Sequence, residues 1–343
     1  MQETKRTFTQ DELKYLKLLS EQYPSMQQVC TELINLQAVL NLPKGTEHFM
    51  SDLHGEYAAF YHILNNCSGV IREKVSLLFS GRMDHQAQSD FCTLIYYPEN
   101  KLRMVKADEQ DTCDWYQTTL NHLIELCKIV SSKYTRQKVR EALPPEYGYI
   151  IDELLHAQED EDDNQLVYHQ KIIETIIDID NADEFIIALA TLIKRLAVDR
   201  LHIVGDIFDR GPRADSIIDM LMQYHSVDIE WGNHDILWMG AATGSSVCIA
   251  TVVKNCVSYN NMQTLENGYG ISLRPLSMFA AETYPRMREA DALKKCIAII
   301  LFKLEGQVIK RHPEYDMNDR LLLDKIDYIT STVTIDGKQY IME

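Results

Sequence analysis

The stretch Leu201-His202-Ile203-Val204-Gly205-Asp206-Ile207-Phe208-Asp209-Arg210-Gly211-Pro212-Arg213 sets the architecture of this chain. Its first four residues read as a buried strand, Gly205-Asp206 ends it, and a helix resumes after Pro212 at about Asp215. Strand, polar turn and helix in that order form the unit of an α/β sheet. The same order recurs on either side. Downstream, Val227-Asp228-Ile229-Glu230-Trp231 is a strand that ends in Gly232-Asn233-His234-Asp235. Upstream, His48-Phe49-Met50 is a short strand that runs into Ser51-Asp52-Leu53-His54-Gly55. A helix follows, with Tyr57, Phe60, Tyr61 and Leu64 at i, i+3, i+4 and i+7.

Outside these blocks the chain reads as helical. Thr9 with Asp11 and Glu12 signals a helix start, Met26–Leu40 has helical apolar spacing, and Pro43-Lys44-Gly45 breaks it. From about Val70 to Val198 the texture is mostly helical, with a stop at Pro144-Pro145 and an acidic run at Glu159–Asp163 that reads as a solvated loop. After Gly244 helices return. The chain closes with Val333-Thr334-Ile335, an Asp336-Gly337 turn and Gln339-Tyr340-Ile341, a hairpin signature. No internal repeat is present.

At 343 residues, two domains or one heavily decorated domain are expected. An apolar fraction of 45% and a charged fraction of 25% are those of a soluble globular protein. The net charge of −17 argues against nucleic acid and anionic membranes as partners. It also repels a phosphorylated substrate at long range, unless bound cations reverse the field locally. The eight cysteines form no C-x-x-C pair and read as free cytosolic thiols. Met1 to Thr7 is polar without a signal-peptide core, and the longest apolar run, Phe185 to Ile193, is too short to span a bilayer. A cytoplasmic location is expected.

The three polar turns present metal-ligand side chains at strand ends, where side chains of an open α/β sheet converge. They are Asp52-x-His54, Gly205-Asp206-x-x-Asp209-Arg210-Gly211 and Gly232-Asn233-His234-Asp235. Carboxylate, imidazole and amide oxygen together suit manganese, iron or zinc better than a calcium cage. Two ions sharing one carboxylate would clamp a phosphoryl group for in-line attack. Each motif alone has a plain alternative. Asp52 can be a helix cap, Asp209-Arg210-Gly211 a surface turn, and Gly232-Asn233-His234-Asp235 an Asn/Asp turn. Three together, each at a strand end, favour the metal reading.

In this order the motifs resemble the calcineurin-like metallophosphoesterase superfamily. The longer blocks Phe49–Phe60, Leu201–Arg213 and Glu230–Gly240, and the 154 positions between Asp52 and Asp206, are similar to the class III bacterial fructose-1,6-bisphosphatases. The resemblance implies roles. Asp52 and His54 would ligate a first metal, Asp206 would bridge two, and Asn233 would ligate the second. His234 would donate to the leaving oxygen, Asp209 would orient His234, and Arg210 would hold the substrate phosphate. Two manganese ions are implied, with hydrolysis of the 1-phosphate of fructose 1,6-bisphosphate in gluconeogenesis. A protein or dinucleoside-polyphosphate phosphatase is the alternative with the same site.

The sequence departs from the family at one point. Two further histidine motifs are expected after His234, yet only His312 follows, in Lys310-Arg311-His312-Pro313, and it reads as a surface residue. The chain is therefore expected to be the N-terminal portion of such an enzyme. It could be catalytically deficient alone and could associate with a complementary chain or with itself. The implied fold is α/β: a two-sheet metallophosphoesterase core flanked by helices, with an incomplete C-terminal side. Its parts are residues 46–69 and 199–343, a helical insertion over 70–198 and N-terminal helices over 1–45. His62 and His202 read as structural, and Trp231 and Trp238 as core. Arg213 and Lys74 are cations that could reach a second phosphate.

Overall fold

Three short parallel strands place the polar turns side by side. In this computed structural model, which describes residues 8–156 and 163–342, β1 (Glu47–Met50), β2 (Arg200–Val204) and β3 (Val227–Glu230) form one sheet in the order β1-β2-β3. His48 pairs with Leu201, and Leu201 with Val227, so the strand ends are level and all three turns leave the same edge. The polar segment Met1–Thr7 and the acidic run up to Asp162 lie outside the described residues.

Parallel strands need long connections, and helices supply them. Tyr57–Asn66 follows β1 and Ala214–Met222 joins β2 to β3. Both pack on one sheet face: Phe60, Ile217 and Leu221 bury against Leu201 and Ile203, with Met50, Tyr57, Leu64 and Val227 at the margin. Burial of each such side chain contributes roughly 1.5–3 kcal/mol. The opposite face is open. Val204 is 51% exposed there, and Phe49 is exposed and stacks on His202 at 4.5 Å. The reading of Leu201–Val204 as a buried strand holds for one face: Leu201 and Ile203 are buried, His202 is half-buried and Val204 is exposed. Trp231 is 60% exposed, so its reading as core is corrected, whereas Trp238 stacks on Phe208 at 4.4 Å and packs into the core.

The same compact unit, residues 47–68 with 200–343, continues through helices Asn233–Ala242, Ser246–Tyr259, Arg274–Thr283 and Glu289–Arg311. It ends in a second sheet of β4 (Ile326–Asp327), β5 (Thr332–Ile335) and β6 (Lys338–Ile341). The Asp336-Gly337 turn has φ of 49° and 75°, as a tight hairpin turn requires. β4, only two residues long, gave no readable sequence signal.

The other compact unit, residues up to 46 with 69–199, is helical. Thr9 and Glu12 form a capping box at helix Gln10–Gln22, and Ser25 caps Met26–Val39. Helix Arg136–Ala142 stops before Leu143, which takes an extended conformation ahead of Pro144 because the proline ring would clash with a helical one. Helix Ala182–Ala197 is amphipathic and buries Phe185, Ile186, Leu189, Leu192 and Ile193; it packs on helix Cys113–Ser131, which buries Leu120, Leu123 and Leu126. No described helix is long and apolar enough to cross a membrane. At the base of the unit its two chain ends are clasped. Asp199 N–H donates to the Thr46 carbonyl at 2.8 Å, Lys133 Nζ donates to Thr46 Oγ1 at 3.0 Å, and Lys138 pairs with the Asp199 carboxylate. The architecture is mixed α/β, mostly helical, with two small sheets, and all eight cysteines are free thiols.

Candidate functional site

The turns after β1 and β2 are knitted together through their backbones. His54 N–H donates to the Asp206 carbonyl at 2.8 Å, Gly55 N–H to Ile207 at 2.8 Å, and Arg213 N–H to Gly55 at 3.2 Å. Such a weave requires left-handed backbone. Asp52, His54 and Asp206 have φ of 55°, 47° and 55°, each costing about 1 kcal/mol or more relative to a relaxed residue. The third turn comes equally close. A β-carbon on Gly232 would overlap the Asp206 carboxylate, so only glycine fits there.

The three strained residues are also the three that converge. One ligand atom each of Asp52, His54 and Asp206 lies within 4.8 Å of the other two. Among the described residues this is the only such group of three or more His, Cys, Asp or Glu side chains. Asn233 opens helix Asn233–Ala242 and is exposed. Its neighbours on both sides touch Asp206: Gly232 by close approach, and His234 through its N–H, which donates to Oδ1 at 3.3 Å.

Asp209 is the hub of a second group. Its side chain is 1% exposed, its Oδ1 lies 3.3 Å from His234 Nδ1, and its Oδ2 accepts from Arg210 Nε at 2.9 Å. Oδ2 also lies 3.8 Å from His54 Nδ1. This buried carboxylate faces Nδ1 of both imidazoles as an orienting charge, while its Oδ1 makes no hydrogen bond.

Asp235, the last residue of the third motif, joins two of the turns. It is buried, its Oδ1 accepts from the N–H groups of Ile207 at 2.9 Å and Phe208 at 3.1 Å, and its Oδ2 accepts from Gly232 N–H at 2.9 Å. One carboxylate therefore ties the second turn to the third. Its position three residues past the glycine that caps the helix was the available signal.

None of the other histidines singled out belongs to the group of Asp52, His54 and Asp206. His202 Nδ1 is 3.1 Å from Asp228, while its buried Nε2 has no hydrogen-bond partner. His62 is exposed on its helix. His312 pairs with Glu314 at 2.8 Å beyond the end of helix Glu289–Arg311. Arg213 is held by Ser216 and lies over the Tyr57 ring at 5.3 Å. Lys74 belongs to the helical unit, on helix Val70–Leu78.

Residues 14–343 match the protein family described as Firmicute fructose-1,6-bisphosphatase. The chain belongs to this family. It is 55% identical to a class 3 fructose-1,6-bisphosphatase of Clostridium beijerinckii, over 96% of this chain and 53% of that protein. Its identity to the class 3 enzyme of Clostridium acetobutylicum is 54%, over 98% of this chain and 54% of the relative. With that of Parabacteroides distasonis it is 51%, over 97% and 53%. The chain thus spans about half the length of the curated relatives it matches. No solved structure matches it.

Proposed function

We propose that this chain carries the active face of a metal-dependent phosphomonoester hydrolase, which converts fructose 1,6-bisphosphate to fructose 6-phosphate and phosphate. The observation that carries this reading is the gathering of Asp52, His54 and Asp206 within 4.8 Å. Donors bonded at roughly 2.0–2.2 Å to one ion stand at most about 4.4 Å apart, so small side-chain movements suffice to close the group on a cation. Asp52, His54 and Asp206 would hold the first ion, with Asp206 and Asn233 reaching a second. Manganese fits this mixed oxygen and imidazole set. The bound ions supply charge neutralisation at the phosphoryl group and lower the pKa of the attacking water.

The chain's own side chains do the rest. The terminal nitrogens of Arg210 form a fork suited to two phosphate oxygens. His234 Nε2 delivers a proton to the leaving sugar oxygen, and the Asp209 carboxylate faces Nδ1 on the other side of the ring. Asp235 keeps His234 and Asp206 in register. The reaction is a gluconeogenic step, and a cytoplasmic location suits it. The core implied is a metallophosphoesterase sheet, interrupted by residues 70–198. The relatives along nearly the whole chain bear the bisphosphatase name, which disfavours a protein or dinucleoside-polyphosphate phosphatase. Association with a complementary chain finds no support in those relatives.

The test is phosphate release from fructose 1,6-bisphosphate by the manganese-loaded chain, with His234→Ala beside it. The variant is expected to lose about 10²–10⁴ in rate on the sugar phosphate and much less on aryl phosphates, whose leaving groups need little protonation. A loss independent of leaving group would remove His234 from the acid role. No manganese-dependent phosphate release from the parent would sink the reading as a whole.

A further inference from the structure

The backbone on both sides of Arg210 is held by one side chain. Asn261 is 4% exposed, and its Nδ2 donates to the Asp209 carbonyl at 2.7 Å and the Gly211 carbonyl at 3.4 Å. Arg210 is therefore the middle residue of a turn whose flanking carbonyls share a single donor group. Its charged end is steadied as well. Nε donates to Asp209, and the guanidinium carbon lies 5.8 Å from the centre of the Tyr259 ring, within cation–π range.

Two of these three supports come from one short segment, Tyr259-Asn260-Asn261, at the end of helix Ser246–Tyr259. Asn260 takes φ 58° there, a left-handed cap that turns the chain and lets both of its neighbours meet the Arg210 turn. Asn261 is itself fixed: its N–H donates to the Cys256 carbonyl at 3.0 Å, and its carbonyl accepts from Thr264 N–H at 3.1 Å. Thr264 opens a single π-helical turn, Thr264–Gly268, a form that recurs at functional sites.

Burial explains why Asn261 needs partners, but not why an arginine side chain that is 66% exposed should be ordered from two directions. Fixing a long side chain costs up to about 2 kcal/mol of rotamer entropy. That cost is offset when the ordered group receives a ligand, because binding then loses less freedom.

We propose that Tyr259 and Asn261 are positioning residues that aim the Arg210 fork at a substrate phosphate, so that this helix end sets how tightly the site takes phosphate. The proposal rests on the phosphate-binding reading of Arg210. Inorganic phosphate, titrated into the manganese-loaded full chain, is the probe, together with steady-state kinetics on fructose 1,6-bisphosphate. Asn261→Ala and Tyr259→Leu are each expected to weaken phosphate binding and raise KM about tenfold, with kcat changed less than about threefold. In an Arg210→Ala background the same substitutions are expected to add nothing. Losses that are equal with and without Arg210 would overturn the proposal. Tyr259 is half exposed, so its arm does not depend on a buried site tolerating change. A parent chain that neither binds phosphate nor turns over the bisphosphate would instead count against the functional reading. Amide hydrogen exchange then decides the positioning on its own. Asn261→Ala should speed exchange across residues 209–213 at least about tenfold, and unchanged exchange would overturn the role of Asn261.

Discussion

In the helical unit Leu120, Leu123, Leu126, Ile186, Leu189, Leu192 and Ile193 are fully buried, and its only described non-glycine residues with left-handed backbone, Glu109 and Asp180, sit just past helix ends. In the site-bearing unit the first sheet has one open face, and the left-handed residues include Asp52, His54 and Asp206. One region gains stability from depth; the other spends some to bring three ligand atoms together. Strain sits where chemistry needs convergence, and it is held by the backbone weave and by Asp235, together with the buried side chains of Leu53 and Ile207.

This contrast predicts that stability and metal binding separate by region. The largest effect is expected for Asp206→Asn, which should weaken manganese binding by more than the 10–100-fold typical of losing a supporting partner. Its metal-free unfolding midpoint should not fall, since a strained, crowded carboxylate loses its charge. Calorimetric titration and thermal melts measure the two, and a matched loss of both would erase the distinction. Leu189→Ala should do the converse, costing about 2–5 kcal/mol in urea denaturation while leaving manganese affinity unchanged. Smaller still, Asp52→Gly should be more stable than Asp52→Ala by up to about 1 kcal/mol, because glycine accepts φ 55° without penalty. Equal melts would remove strain from the account of the first turn.

The smallest effect is a pH dependence in the helical unit. Hydrogen bonds from Arg82 at 2.7 and 3.1 Å hold the Glu125 carboxyl below its ordinary range. A carboxyl depressed on folding stabilises the fold above its unfolded pKa, and that contribution fades as pH falls through the folded value. Glu125→Gln should therefore flatten the acid limb of stability below about pH 4.3. The pair is partly exposed, so the difference should stay under about 1 kcal/mol. A steeper acid limb in the variant would reverse the assignment.

Much of this was legible in the residues. The strand–turn–helix order around Asp52, Asp206 and Asn233, the Thr9 cap and the Asp336-Gly337 hairpin each have a signature within a few positions. What escaped is non-local. Val204 and Trp231 are apolar, but whether a sheet face is covered depends on what packs there, and an apolar run cannot report that. Asp235 acts on residues 27 and 28 positions away, and Asn261 on residues 50 and 52 positions away, through side-chain-to-backbone bonds that leave no periodic trace. The convergence of Asp52 with Asp206 was readable from their common place at strand ends, whereas their separate ligand roles came only from the family likeness.

The clasp between Thr46 and Asp199 has a kinetic consequence. β1 begins at residue 47 and β2 at residue 200, so pairing them in an unfolded chain means closing a loop of about 150 residues, an entropic cost that grows with the logarithm of length. Once the helical unit has formed, its two ends are a hydrogen bond apart, and the strands become near neighbours along the effective chain. The helical unit then acts as a pre-folded staple, and refolding should proceed in sequence: helical signal first, manganese capture after it. Loosening the staple with Lys133→Ala should delay metal capture while sparing the early helical phase, which stopped-flow circular dichroism and a metal-release dye can time separately.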